Sequence, residues 1–233
     1  MSGTRDIGLT VLSDWGEERG RVIRVEKGVM EFNQALAEES RARFVAAGVL
    51  VINVLSSPGS GKTTFLARTL QEFPARAAVI VGDLATDNDA ERLRVGGAVA
   101  VQIQTGGVCH LEAAMIAQAA ARLNLATLEL LIIENVGNLV CPAAYDLGER
   151  LRVVLLSTTE GEDKPLKYPQ MFKTADLVII NKTDLAEAVG FDRAQALSNI
   201  RLVNPQAQVL ELSARTGQGM SAWYELLQAH LAH

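Results

Sequence analysis

The chain of 233 residues contains only two cysteines, Cys109 and Cys141, and three histidines. Two thiols cannot build a disulfide scaffold. In a reducing compartment they are expected as free thiols or metal ligands. Positive charge is also scarce: 22 Lys and Arg face 27 Asp and Glu, for a net charge of −5. That balance gives no support for a nucleic acid or a membrane surface as the main partner. No apolar run has the length of a membrane span. Met1–Gly20 lacks the basic-then-apolar pattern of a secretory signal, so a cytoplasmic location is expected. Internal repeats and low-complexity tracts are missing too. What is present, 48 % apolar and 21 % charged residues, is ordinary for a soluble globular protein and suits one α/β domain with a short extension.

The most informative stretch is Val49–Thr64. An apolar run meets the turn Ser57-Pro58-Gly59-Ser60-Gly61, and Lys62-Thr63-Thr64 opens a helix-compatible segment. A strand, a tight loop and a helix N-terminus make an anion site, because loop N–H groups and roughly half a positive charge from the helix dipole face the ligand. This is the pattern of the phosphate-cradling loop. In it Lys62 reaches the β- and γ-phosphates as a catalytic group and Thr63 offers its hydroxyl to Mg²⁺, with Gly59, Ser60, Gly61 and Thr64 around the phosphates. One position departs: the pattern asks for glycine where Ser56 stands.

Along the chain, residues 1–20 read as a flexible arm and 21–48 as an extension. In that extension Val22–Val25 is either a short edge strand or a lead-in, and Glu26–Ala47 has helical spacing. Residues 49–233 then alternate. Strands are expected at Ala77–Val81, Val99–Gln104, Leu128–Ile133, Val153–Leu156, Leu177–Ile180 and Gln208–Leu212. Helices are expected at Thr86–Val95, Leu111–Leu123, Asp192–Leu202 and Met220–Leu231, with a polar loop over Ser157–Lys167. Wholly apolar strands separated by helices predict an α/β fold of the P-loop NTPase kind, with a mostly parallel central sheet covered on both faces. Ligands then sit at the carboxyl ends of the strands.

Asn181-Lys182-Thr183-Asp184 follows one such strand. A carboxylate at Asp184 can accept from N1–H and the 2-amino group of guanine together, whereas adenine presents a bare acceptor at N1. At about 1.5–3 kcal/mol per charge-assisted bond, this selects guanine by orders of magnitude. Asn181 would brace the loop, the Lys182 stem would lie on the base, and Ser213-Ala214 could offer a backbone N–H to O6. Asp83 and Glu134 end two further strands and are candidates to hold Mg²⁺ directly or through water. No glutamine is obviously placed to position the attacking water, which leaves Asp83 or Asp89 for that catalytic role. Cys109-His110 and Cys141 could supply two thiolates and an imidazole to Ni²⁺ or Zn²⁺. Their spacing is not that of a zinc finger, and two buried free cysteines remain the alternative.

These residues resemble the HypB nickel-insertion GTPases that mature nickel–iron hydrogenases. The matching runs are Ser57–Thr64, Gly82-Asp83 with Thr86 and Asp89-Ala90, Thr105–Leu111, Ile133–Pro142, Thr158–Pro169 and Asn181–Asp184. The resemblance covers residues 21–231. It implies slow hydrolysis of GTP to GDP, a nucleotide-linked homodimer, and a Ni²⁺ or Zn²⁺ site at Cys109, His110 and Cys141. It also implies work with a HypA-type metallochaperone to load the hydrogenase large subunit. Some family members carry an N-terminal cysteine motif or a histidine-rich stretch. Residues 1–48 contain neither Cys nor His, so only the site in the GTPase domain is expected here. Other readings differ at particular residues. A urease-type nickel GTPase would have a Cys-Pro-His run, but Ala143 follows Pro142. A chaperone GTPase for cobalamin-dependent mutases gives no reason for Cys109-His110. A nickel sensor or store would have a nucleotide site without turnover. A P-loop kinase would need an acceptor pocket, and Asn181–Asp184 argues for guanine.

Overall fold

A computed structural model describes the backbone of residues 15–83 and 99–232, and the side chains of residues 28–82 and 99–232. The helix expected at Thr86–Val95, with Asp87 and Asp89, lies outside the described residues, as does the side chain of Asp83. The chain divides after Phe32 into two compact units.

In the first unit the described backbone, from Trp15 on, is helical. Val22–Val25 therefore belongs to a helix and not to an edge strand. β-Propensity reflects packing on a sheet more than the backbone itself, and here Glu, Arg and Lys neighbours favour the helix. Of helix α1 (Trp15–Ala46), residues 33–46 belong to the second unit. There Asn33, Ala37, Ser40 and Phe44 recur at helical spacing and are all buried. Ala37 packs on Gly148, where a Cβ would lie 2.8 Å from the Ala37 carbonyl and φ is +84°, so both space and conformation demand glycine.

The second unit is built on seven strands: β1 (Leu50–Ser56), β2 (Ala77–Asp83), β3 (Val99–Gln104), β4 (Leu130–Glu134), β5 (Leu151–Ser157), β6 (Leu177–Asn181) and β7 (Gln208–Glu211). They form one sheet in the order β3-β2-β4-β1-β5-β6-β7, and every pair is parallel. β1, β4, β5 and β6 are buried along their whole length, as continuous apolar runs require. On one face α2 (Lys62–Glu72) and α7 (Met220–Leu231) bury Phe65, Leu66, Trp223 and Leu227 against Leu50, Ile52 and Val54. Phe65 and Trp223 lie 5.1 Å apart, and the Trp223 indole N–H donates to Thr69 Oγ1 at 3.0 Å. The other face carries two separate apolar clusters. One joins Phe44 of α1 and Ile116 of α3 (Ala113–Ala120) to β2 and β4. The second joins β5 and β6 to α5 (Pro169–Lys173) and α6 (Arg193–Val203).

The segment expected as a polar loop, Ser157–Lys167, differs. It contains a 3-10 turn at Thr158–Glu160 and the short helix α4 (Lys164–Lys167), directly before α5. Pro165 and Pro169 occupy first-turn positions, where the missing N–H costs nothing. Helices of four or five residues are too short to display a period, so sequence pattern cannot reveal them. Among the described residues, no helix is long and apolar enough to cross a membrane.

Candidate functional site

The loop between β1 and α2 turns on two glycines in the left-handed region, Gly59 (φ 75°) and Gly61 (φ 96°). At Gly61 a Cβ would lie 2.7 Å from Asn181 Nδ2, so the loop also needs glycine for close approach. Ser56 is wholly buried, and its Oγ receives the ammonium of Lys62 at 2.9 Å. Ser60 Oγ donates to Ser57 O at 3.0 Å, which fixes the turn from within. Thr63 Oγ1 donates to Glu134 Oε1 at 2.8 Å, joining the start of α2 to the end of β4. A hydroxyl and a carboxylate at that separation are hard oxygen donors of the kind Mg²⁺ takes. Asp83 ends β2, which is separated from β1 by β4 alone.

Asn181 ends β6 and ties two loops together. Its amide donates to Ser60 O at 2.9 Å, and its oxygen accepts the Ala214 N–H at 3.1 Å. Lys182 is the one described non-glycine residue with positive φ, 62°. Such a conformation persists where its surroundings over-determine it. Here the Lys182 carbonyl accepts from Thr158 Oγ1 at 2.8 Å, and its Nζ reaches Gly59 O at 2.7 Å. Asp184 is exposed in the turn Thr183–Leu185, and Ser213 is buried. An open pocket of about 440 Å³ lies between α2 and this last loop, lined by Thr63, Thr64, Ala67, Arg68, Ala214 and Arg215. Arg68 was not legible as a functional residue. Its guanidinium donates to Ala214 O at 2.6 Å and Arg215 O at 3.0 Å, bracing the loop that would meet the base. Glu72 one turn later pairs with Arg68, and Tyr224 Oη donates to Glu72 at 2.8 Å.

The thiols come together because of strand order. Cys109 and His110 follow β3, Cys141 follows β4, and these strands flank β2. Cys109 Sγ lies 2.7 Å from Cys141 Sγ as a free thiol and 3.9 Å from His110 Nδ1. One ligand atom from each residue falls within 4.8 Å of the others, the only such group among the described residues. The loop into Cys109 needs Gly106 (φ 62°) and Gly107 (φ 99°). The hydrogen bond with Cys141, and then burial, push the Cys109 thiol pKa up. A metal arriving here would therefore displace protons. Two thiolates and an imidazole fit Ni²⁺ or Zn²⁺, with a tetrahedral position left for a fourth ligand.

Three further residues hold this cluster. Asn138 donates to the Cys109 carbonyl at 3.3 Å and accepts the Val140 N–H at 2.8 Å, so one amide bridges both cysteine loops. The His110 ring stacks on Tyr145 at 4.0 Å, and its Nε2 stands 3.5 Å from Glu112. Nε2 itself is buried without a hydrogen bond, so the stacked Tyr145 ring is what holds the imidazole plane. Asn138 lies within the matching run Ile133–Pro142, whereas Glu112 and Tyr145 carried no sequence signal beyond proximity to Cys or His.

The model of the CobW/HypB/UreG nucleotide-binding domain matches residues 50–211. The hydrogenase maturation factor HypB of Azotobacter vinelandii is 52 % identical over 210 residues, covering 89 % of this chain and 69 % of that protein. HypB of Escherichia coli is 50 % identical over 215 residues, covering 91 % and 74 %. The crystal structure of HypB from Helicobacter pylori in complex with nickel superposes with a TM-score of 0.83 at 43 % identity, covering 86 % of this chain and 95 % of that one. A likeness to the FtsY structure of Thermotoga maritima, TM-score 0.52 at 17 % identity, concerns the fold alone. With a domain match across the whole sheet and relatives this similar over most of their length, the chain belongs to the HypB family of hydrogenase maturation factors.

Proposed function

We propose that this protein is a GTP-hydrolysing nickel metallochaperone for nickel–iron hydrogenase, in which nucleotide state is coupled to the Cys109/His110/Cys141 site and to dimerisation. The observation that carries the reading is one segment with two ends. Glu134 hydrogen-bonds Thr63 at 2.8 Å, beside the phosphate loop, and Cys141, in the same segment, lies 2.7 Å from Cys109.

Gly59, Ser60, Gly61 and Thr64 cradle the phosphates, and Lys62 leaves Ser56 to reach them. Asp184 reads guanine, with Asn181 and Lys182 setting that loop and Asn181 Oδ1 holding the Ala214 N–H at 3.1 Å. Thr63, Glu134 and Asp83 hold Mg²⁺, which neutralises phosphate charge when bound. Asp83 or Asp89 positions the attacking water, and turnover is slow. Nickel is the cargo, and Zn²⁺ competes for the same thiolates. A water or a group from a second subunit completes the metal's coordination, which links cargo to homodimer formation. A HypA-type metallochaperone and the hydrogenase large subunit are the partners, in the cytoplasm.

The test is a titration of the full chain with Ni²⁺ and Zn²⁺, with and without a non-hydrolysable GTP analogue, while light scattering follows mass. The reading expects stoichiometric metal binding that C141A abolishes and a doubled mass with the analogue. Unchanged metal binding in C141A would overturn it.

A further inference from the structure

The face of the sheet that carries two apolar clusters is split by a polar seam. Along β1, Leu50, Ile52 and Val54 enter the cluster on one face, while Val51 and Leu55 enter the two different clusters on the other. Between Val51 and Leu55 stands Asn53, fully buried. Its register partner on β5 is Arg152. Asn53 Nδ2 donates to Glu149 Oε1 at 3.1 Å, and Arg152 Nε donates to the same oxygen at 2.9 Å. Glu149 Oε2 accepts the Leu147 N–H at 2.8 Å. Glu149 is 8 % exposed and Arg152 9 %. Apolar replacements of a buried ion pair often leave a fold equally stable or more so. The seam is therefore weak evidence for a purely stabilising role.

Both ends of the seam meet the segment that joins the proposed nucleotide and metal sites. Asn135, next to Glu134, donates through Nδ2 to Asn53 Oδ1 at 3.3 Å. At the other end Arg152 Nη1 donates to Ala143 O at 3.2 Å and Nη2 to Tyr145 O at 2.7 Å. Those carbonyls close the turn Cys141–Ala144, and the Tyr145 ring is the one stacked on His110. Midway, Gly137 lies so close to the phosphate loop that a Cβ would meet Pro58 Cα at 3.1 Å. A guanidinium is a planar fork with fixed donor directions. Nη1 also donates to Thr174 Oγ1 at 3.1 Å, and a rotation of the fork would act on both carbonyls together.

We infer that Arg152, with Glu149 and Asn53, is a positioning device that carries the state of Glu134 and Asn135 to the Cys141 turn. The inference rests on the coupling proposed above. It makes the seam the physical route of that coupling and assigns no seam residue to metal or nucleotide.

The test compares Ni²⁺ affinity of the full chain with GDP and with a non-hydrolysable GTP analogue, in wild type, R152K and N135S. R152K keeps the charge beside Glu149 but loses the fork, and N135S cuts the seam from β4 while leaving the ion pair whole. Thermal melts and nucleotide titrations show which variants are folded. If R152K does not fold, N135S decides alone. The expected result is a wild-type affinity ratio between the two nucleotide states that falls to within about two-fold of unity in the variants, with nucleotide affinity retained. A wild type that couples and variants that keep its ratio would overturn the seam's role while leaving the coupling intact. Equal affinities in the wild type would remove the coupling itself, and this route with it.

Discussion

The hydroxyl of Ser56 takes the Lys62 ammonium at 2.9 Å, at a position where the phosphate-loop pattern has glycine. A departure from the motif thus supplies an acceptor for a buried cation. S56A is expected to lower the stability of the nucleotide-free protein by about 1 kcal/mol, read as a lower Tm that recovers when GDP is added. An unchanged Tm without nucleotide would contradict this account of the hydroxyl. Asp184 makes a sharper residue-scale prediction. Its carboxylate suits two guanine donors, whereas the amide in D184N offers a donor that suits the 2-oxo group of xanthine. Loss of one charge-assisted bond, about 1.5–3 kcal/mol, should weaken GDP at least ten-fold and raise the relative affinity for xanthosine diphosphate. Competition titration checks both. Asn181, Lys182 and Lys62 were legible in the sequence because motif spacing encodes them. Arg68 and Tyr145 were not, because each acts on backbone or rings brought near only by the fold.

Within the second unit, Asn33 and Arg41 of helix α1 tie its residues 33–46 to the rest of the framework. Asn33 donates to Asp146 O and accepts the Ala113 N–H, each at 2.8 Å, so it also satisfies the start of α3. Arg41 Nη2 contacts both Asp146 oxygens at 2.6 Å. Burial pushes the Asp146 carboxyl up, but the Arg41 guanidinium, the Gly148 N–H and Arg152 outweigh it, and its pKa lies below the usual value. A carboxylate lowered on folding contributes stability above its unfolded pKa and loses it as pH falls through the folded one. R41M should therefore cost about 1 kcal/mol at neutral pH, and melts should show the gap closing below about pH 4. A gap that persists in acid would contradict the pairing. Gly82 in β2 offers a second element-scale test. A Cβ there would come within 2.7 Å of three Leu111 side-chain atoms, and Leu111 follows the Cys109-His110 pair with no exposure. G82A should destabilise by about 1–3 kcal/mol and weaken Ni²⁺ binding by displacing the loop. Full-strength Ni²⁺ binding in a folded G82A would contradict it. The buried strands were legible as continuous apolar runs, and their parallel arrangement followed. Helices α4 and α5 were hidden by their length, and Val22–Val25 stayed open between an edge strand and a lead-in because β-branched residues cluster there.

At the scale of the whole molecule, strand order creates the Cys/His cluster. Cys109 and Cys141 are 32 residues apart in sequence, yet β3 and β4 emerge on either side of β2 and deliver both to one place. Sequence alone left that meeting open between metal ligands and free thiols, because strand order is a property of the assembled sheet. The same order sets β4 beside β1, so Glu134 meets Thr63 while the chain beyond it runs on to Cys141. The central claim is that this segment makes metal affinity depend on the nucleotide. It is tested most directly by equilibrium Ni²⁺ titration of the full chain, once saturated with GDP and once with a non-hydrolysable GTP analogue. The account predicts two different dissociation constants, separated by at least about five-fold, the lower end of ordinary coupling between sites. Identical constants in the two nucleotide states would contradict it.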